Sequence, residues 1–183
     1  MRGIPRDNPV MIELILGGAR SGKSLLAEKR ALESGLAVTC IATAEARDDE
    51  MAQRIAHHQA RRPTAWGVVE EPLHLAAALH AAAGERCLLV DCLTLWLSNL
   101  LFADDDGRSL AQETAALLEL LPTLPGRVIL VSNEVGLGII PLGEVTRRFV
   151  DETGRLNQRI AAVAQRVTFV AAGLPLALKG PVA

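Results

Sequence analysis

The sequence predicts an α/β three-layer sandwich with a mostly parallel sheet flanked by helices, and three observations carry that prediction. Short apolar runs alternate with longer amphipathic ones; the run CLLVD at 87–91 is too apolar to have a solvated face; and a glycine-rich segment joins the first apolar run to the first amphipathic one. The chain has 183 residues, half of them apolar and 22% charged, which is enough to bury one sizeable core and unlike the composition of a disordered segment.

Residues 1–9 (MRGIPRDNP) hold two prolines, a glycine and no periodicity, so they read as a flexible N-terminal arm ahead of a single domain spanning 10–183. MIELIL at 11–16 is the first strand, and a helix from about Lys23 to Ser34 stops at Gly35. AVTCIAT at 37–43 is a second strand, completing a β-loop-α-β unit. Residues 48–62 carry helical spacing and end before Pro63; Val68 to Glu70 forms a short strand; Pro72 to Ala83 reads as a helix with proline at its start and Gly84 after it. CLLVD is then a central strand that ends in a carboxylate. Leu93 to Phe102 reads as helix, 103–109 as a solvated turn, Leu110 to Leu121 as helix and Pro122 to Arg127 as a break. VILVSNE at 128–134 is another buried strand, 143–166 is mostly helix, and VTFVAAG at 167–173 is the last clear strand.

Composition excludes several classes of function. Nineteen Lys and Arg against 21 Asp and Glu give a formal charge of −2, with a pI near 6.1, so no basic excess is available for a nucleic acid backbone. Aromatic residues are only 3%, too few to build stacking platforms. Cys40, Cys87 and Cys92 are odd in number and lack CxxC spacing; they read as reduced core residues of a cytoplasmic protein. The stretch Val10 to Leu16 is short, carries Glu13 and runs straight into the glycine loop, unlike a secretory leader. The longest apolar segment, 87–102, is interrupted by Asp91, Thr94, Ser98 and Asn99 and falls short of the roughly 20 residues of a spanning helix, so no membrane anchor is expected.

The segment Gly17-Gly18-Ala19-Arg20-Ser21-Gly22-Lys23-Ser24 matches GxxxxGK[ST] between a strand and a helix. Glycines let several backbone N–H groups converge on phosphate oxygens; Lys23 offers a mobile cation to the outer phosphates, and the Ser24 hydroxyl can ligate Mg²⁺. The helix that follows adds its positive end at the same point. A plain glycine turn accounts for Gly17 and Gly22 but not for Lys-Ser at this offset. The expected fold is therefore P-loop NTPase-like. Asp91, closing a downstream strand, suits the carboxylate that holds Mg²⁺ directly or through water, and it also suits a helix N-cap. No NKxD stands in the sequence to read guanine, and a switch GTPase is disfavoured.

Residues 48–63 (DDEMAQRIAHHQARRP) are acidic at the start and basic at the end, as the helix dipole favours. Helical spacing puts Arg54, His58 and Arg62 on one stripe with Arg61 beside it. An imidazole ringed by guanidinium groups suits attack on a phosphorus whose oxygens need neutralising. The same residues also serve as dipole-complementing bases on a solvated helix end, and spacing alone favours that reading. His74 and His80 show no metal-ligand spacing.

Together these strings resemble one family, the bifunctional adenosylcobinamide kinase / adenosylcobinamide-phosphate guanylyltransferases of cobalamin biosynthesis. The resemblance runs from Leu14 to about Gly173, through GGARSGKS at 17–24, IAT at 41–43, DDEMAQRIAHHQARRP at 48–63, NLLF at 99–102, SNEVGLGIIP at 132–141 and GRLNQRIAA at 154–162. It implies phosphorylation of adenosylcobinamide by a nucleoside triphosphate, ATP or GTP, followed by transfer of GMP from GTP to the new phosphate with loss of pyrophosphate. It also implies a guanylyl-histidine intermediate on His58, with Lys23 as the other catalytic residue. Nucleotide contacts are implied for Gly17, Gly18, Ala19, Arg20, Ser21, Gly22, Lys23 and Ser24, for Ala42, Thr43 and Ala44, and for Gln59, Ala60, Arg61, Arg62, Glu70 and Asp91. Ser24 and Asp91 would hold Mg²⁺. Relatives carry Glu where this chain has Asp91, a shorter carboxylate of the same charge. Similar proteins are homotrimers, so an active site completed between subunits is expected. A monofunctional P-loop kinase of another small metabolite and a non-enzymatic nucleotide-dependent regulator are the competing readings of the residues themselves.

Overall fold

The computed structural model of the protein describes residues 10–46, 49, 52, 53, 56, 59, 60, 62–103 and 108–181. The expected arm at 1–9 lies outside them. Seven strands form one sheet: β1 (Met11–Gly17), β2 (Val38–Ala42), β3 (Gly67–Glu70), β4 (Cys87–Asp91), β5 (Arg127–Asn133), β6 (Arg166–Ala171) and β7 (Leu174–Lys179). Their order is β3-β2-β4-β5-β1-β6-β7. All neighbours are parallel except β6 and β7. The helices are α1 (Lys23–Glu33), α2 (Leu75–Ala81), α3 (Leu93–Ala103), α4 (Arg108–Leu120) and α5 (Glu144–Val163). Asp49, Ala52, Gln53, Ala56, Gln59 and Ala60 are helical, in agreement with the periodicity of 48–62.

The central strands are apolar throughout because each of their faces meets a different core. In β1, Ile12, Leu14 and Leu16 join a cluster with Trp96, Leu97, Leu117 and Ile160, while Ile15 joins Ala27 and Ala31 of α1 on the other face. β5 alternates in the same way, with Val128 and Leu130 to one side and Ile129 and Val131 to the other. Side chains two apart share a face, so a strand covered twice needs both sets apolar, and this is what the unbroken runs encode. The three layers expected from the sequence are present.

The expected turn over 103–109 is shorter among the described residues, since Ala103 ends α3 and α4 begins at Arg108 rather than Leu110. Three other boundaries differ from the periodicity for a local reason. The Glu71 carboxylate accepts the N–H groups of Leu73 (3.0 Å) and His74 (2.8 Å), so 72–74 is a tied turn and α2 begins only at Leu75. Helix α5 ends at Val163 because Gln165 N–H donates to Ile12 O (3.0 Å), drawing the chain onto the sheet. The run at 167–173 breaks at Ala172 and Gly173, whose φ values of 52° and 78° turn the chain back into β7. This last strand was not expected. Its sequence LPLALK has no polar face and carries a proline, which an edge strand tolerates.

One charged group lies inside the sheet. Glu13 is fully buried and meets Arg127 at 2.6 Å, with Arg166 at 3.8 Å and Arg30 at 3.9 Å. Removing one partner of a buried ion pair strands the other charge, at a cost of about 3–5 kcal/mol, more than the pair adds over an apolar replacement. Glu13→Ala is expected to lower unfolding free energy by about that amount in urea titration, and a loss under about 1 kcal/mol would show that the three arginines reach solvent instead.

Candidate nucleotide-binding site

The C-terminal edge of the sheet gathers most of the described residues singled out by the sequence. The loop from Gly17 to Gly22 leaves β1 and enters α1, whose first residues are Lys23 and Ser24. Two main-chain hydrogen bonds pin it to both neighbours: Glu134 N–H donates to Gly17 O (3.1 Å), and Gly173 N–H donates to Ser21 O (2.8 Å). Gly22 adopts φ 98°, which L side chains rarely reach, and a Cβ on Gly17 would lie 2.5 Å from both Ser21 Oγ and Val170 O. By contrast, nothing lies within 4 Å of a Cβ built on Gly18, so that face of the loop is open. Ala19 and Arg20 are exposed, Arg20 with φ 55°.

Lys23 is only 9% exposed and its ammonium donates to Gly18 O (3.1 Å). Burial lowers its pKa from 10.5, and the neighbouring Cys92 and Asp91 pull it partly back. Ser21 Oγ is buried without a hydrogen-bond partner among the described residues. A buried, unsatisfied hydroxyl is costly, and here it sits in the same loop as a buried ammonium beside an open face. An anion with several acceptor oxygens would satisfy this set.

Asp91 ends β4, and α3 starts at Leu93, so the residue directly ahead of the helix is Cys92 rather than Asp91. Its carboxylate lies 3.9 Å from the Arg62 guanidinium, which joins two residues assigned to one site. Ser24 and Asp91 offer a hydroxyl and a carboxylate, the hard oxygen donors suited to Mg²⁺ that retains water and phosphate oxygens. Ala42 is paired in register with both Asp91 and Glu70. Gln59 Nε2 donates to Glu70 Oε1 at 3.3 Å, which ties Gln59 to the end of β3. Ala60 is exposed beside it, and Ala44 follows β2 half-buried. Thr43 is fully buried, its hydroxyl donating to Cys92 O (2.7 Å) and accepting from Cys92 N–H (2.9 Å). Asn99 Nδ2 donates to Thr43 O (2.8 Å) and Pro72 O (3.2 Å), so the Thr43 side chain splices β2 to the β4–α3 junction. His58 and Arg61, like His57 and Arg54, lie outside the described residues.

The end of β5 received no role from the residues alone. Asn133 pairs in register with Gly17, two residues beyond the level of Asp91, and Asn133 N–H donates to Thr94 Oγ1 (2.6 Å). The signal was a second apolar strand, VILVSNE, closing in a carboxylate. The cysteines behave as core: all are free and buried, and burial pushes Cys40 up to about 12 and Cys87 and Cys92 to about 11. His74 meets Glu113 at 2.9 Å. Among the described residues no helix is long and apolar enough to cross a membrane.

Because the free Lys23 ammonium loses its charge below the ordinary lysine range, kcat/KM for the nucleotide is expected to fall with rising pH through a value under 10.5. Lys23→Arg, whose charge persists, should carry no such limb, and its persistence there would assign the titration elsewhere.

Two solved structures share the fold at low identity. The RadB recombinase superposes with a TM-score of 0.50 at 16% identity, over 88% of this chain and 74% of that one. A Pyrococcus horikoshii protein superposes with a TM-score of 0.55 at 9% identity, over 94% and 87%. At the sequence level, the bifunctional adenosylcobalamin biosynthesis protein CobP of Pseudomonas aeruginosa is 65% identical over 171 residues, 93% of this chain and 98% of that protein. The bifunctional adenosylcobalamin biosynthesis protein CobU of Escherichia coli is 39% identical over 182 residues, 92% of this chain and all of that protein. The family model described as cobinamide kinase / cobinamide phosphate guanyltransferase matches residues 13–178, and the chain belongs to that family.

Proposed function

We propose that this enzyme carries out both reactions of its family in one catalytic domain over residues 10–183, phosphorylating adenosylcobinamide with ATP or GTP and then transferring GMP from GTP to the product through a guanylyl-histidine on His58. The observation that carries this reading is the buried Lys23 ammonium on the Gly18 carbonyl, beside the unsatisfied Ser21 hydroxyl. In the first reaction the loop amides and Lys23 stabilise charge on the transferred γ-phosphoryl group. Mg²⁺, held by Ser24 and Asp91, would neutralise charge on the outer phosphate oxygens. In the second reaction the same loop holds the leaving pyrophosphate while His58 attacks the α-phosphorus, splitting the transfer into two in-line displacements. Arg61 and Arg62 neutralise phosphate charge, the main chain of Ala42–Ala44 follows the nucleotide, and Glu70, braced by Gln59, contacts the guanosine.

The three free buried thiols suit a reducing cytoplasm. We also assign a homotrimer, to which the bare Leu174, Leu176 and Leu178 of edge strand β7 lend support. Light scattering should return three times the 19.5 kDa chain mass, and a single-chain mass would remove the assignment.

GTP labelled at the α-phosphate is expected to leave an acid-labile, base-stable label on the wild-type protein and none on His58→Ala, which keeps its kinase turnover. Absence of label on the wild type would leave a kinase alone. Lys23→Ala should lose both activities, and either one at the wild-type rate would contradict a shared loop.

A further inference from the structure

We propose that Glu134 accepts the proton of the acceptor hydroxyl in the phosphoryl-transfer reaction and takes no part in guanylylation; this rests on the kinase reading above. Three observations converge on that carboxylate. First, β5 lies between β1 and β4 and outruns β4: Asp91 is level with Val131, whereas Gly17 is level with Asn133, so Glu134 stands one residue further, level with Gly18. Neighbouring strands are about 5 Å apart, and Gly18 O is the atom that carries the Lys23 ammonium. Second, the residue is held at both ends: its N–H donates to Gly17 O (3.1 Å), and its Oε1 accepts the Gly136 N–H (2.6 Å). Third, Oε2 has no partner among the described residues and is not buried, which leaves one oxygen reachable from solvent.

The other carboxylates at the strand ends are engaged elsewhere. Asp91 faces Arg62, and Glu70 is bonded by Gln59 at the far edge of the sheet. The two reactions differ in what they ask of such a group. An alcohol attacking the γ-phosphorus forms a new O–P bond as the bond to the β-phosphate oxygen breaks; the nucleoside diphosphate leaves with that electron pair, and the hydroxyl proton passes to Glu134 and on to water. An imidazole attacks the α-phosphorus with a ring nitrogen lone pair and has no hydroxyl proton to surrender.

Glu134→Gln separates these roles, because its amide oxygen still accepts from Gly136 N–H but cannot take up a proton. Phosphorylation of cobinamide by γ-labelled ATP is expected to fall about 10²-fold in kcat with nucleotide KM within about twofold. Label from α-labelled GTP should remain within about threefold of wild type, the range left by a near-isosteric change at an accessible side chain that the guanylylation does not use. A kcat within about threefold of wild type overturns the proposal, as does a parallel fall in both reactions, which marks Glu134 as a loop brace. Wild-type protein that phosphorylates no cobinamide overturns the kinase reading and the proposal with it.

Discussion

A glycine loop can cradle phosphate only if its own backbone stays put when no side chain fills it. Here two main-chain hydrogen bonds meet that requirement, Glu134 N–H to Gly17 O and Gly173 N–H to Ser21 O, one from just beyond the end of each strand flanking β1. Each replaces a solvent bond at the loop, and their joint effect is to fix two ends of a segment in which Gly22 takes a left-handed φ. The direction of the Lys23 side chain follows from that fixed path, since it leaves the first turn of α1 and folds back onto Gly18 O. A side chain on Gly17 would strike the loop and β6 together, so close approach excludes it.

The parallel order of the strands extends this local arrangement into a site. Because β5 separates β1 from β4, the loop and Asp91 stand about 10 Å apart at the same edge. The Asp91 field still reaches Lys23, offsetting part of the burial that lowers its pKa. On the far side, β2 and β3 bring Ala42 and Glu70 level with Asp91, with Gln59 bonded to Glu70. An elongated ligand carrying negative charge at one end matches an edge that is cationic at β1 and offers hydrogen bonds at β3.

Much of this was legible in the residues, and the exceptions have physical causes. Strands buried on both faces announce themselves as apolar runs, and a loop that must bind phosphate needs Gly, Lys and Ser at fixed offsets, so both could be read locally. The Gln59–Glu70 and Arg62–Asp91 pairings join segments that only the fold brings together; resemblance grouped their members, while spacing did not. Strand β7 was hidden because LPLALK lacks the alternation of a half-buried strand and holds a proline. The start of α2 was misplaced because the Glu71 side chain ties up the first turn, an effect that periodicity does not carry. Thr43 shows a different limit: it stands among residues grouped as nucleotide contacts, yet its hydroxyl is spent on Cys92.

That expenditure is informative about how one edge can serve two reactions. Under the mechanism proposed above both transfers lay the triphosphate along the same line, so the groups that define the line should be rigid, and those that differ between reactions should stand to its sides. Thr43, Asn99 and Thr94 belong to the first set: they are buried, and they bond β2, β4, β5 and α3 to one another with little exposure to a ligand. Glu134 and Gln59 are by contrast accessible, one bonded to the loop at Gly17 and the other to Glu70 at the end of β3. A sheet edge stiffened in this way would hold a triphosphate along one line without moving its strands, which is what the proposed use of a single loop for both transfers requires.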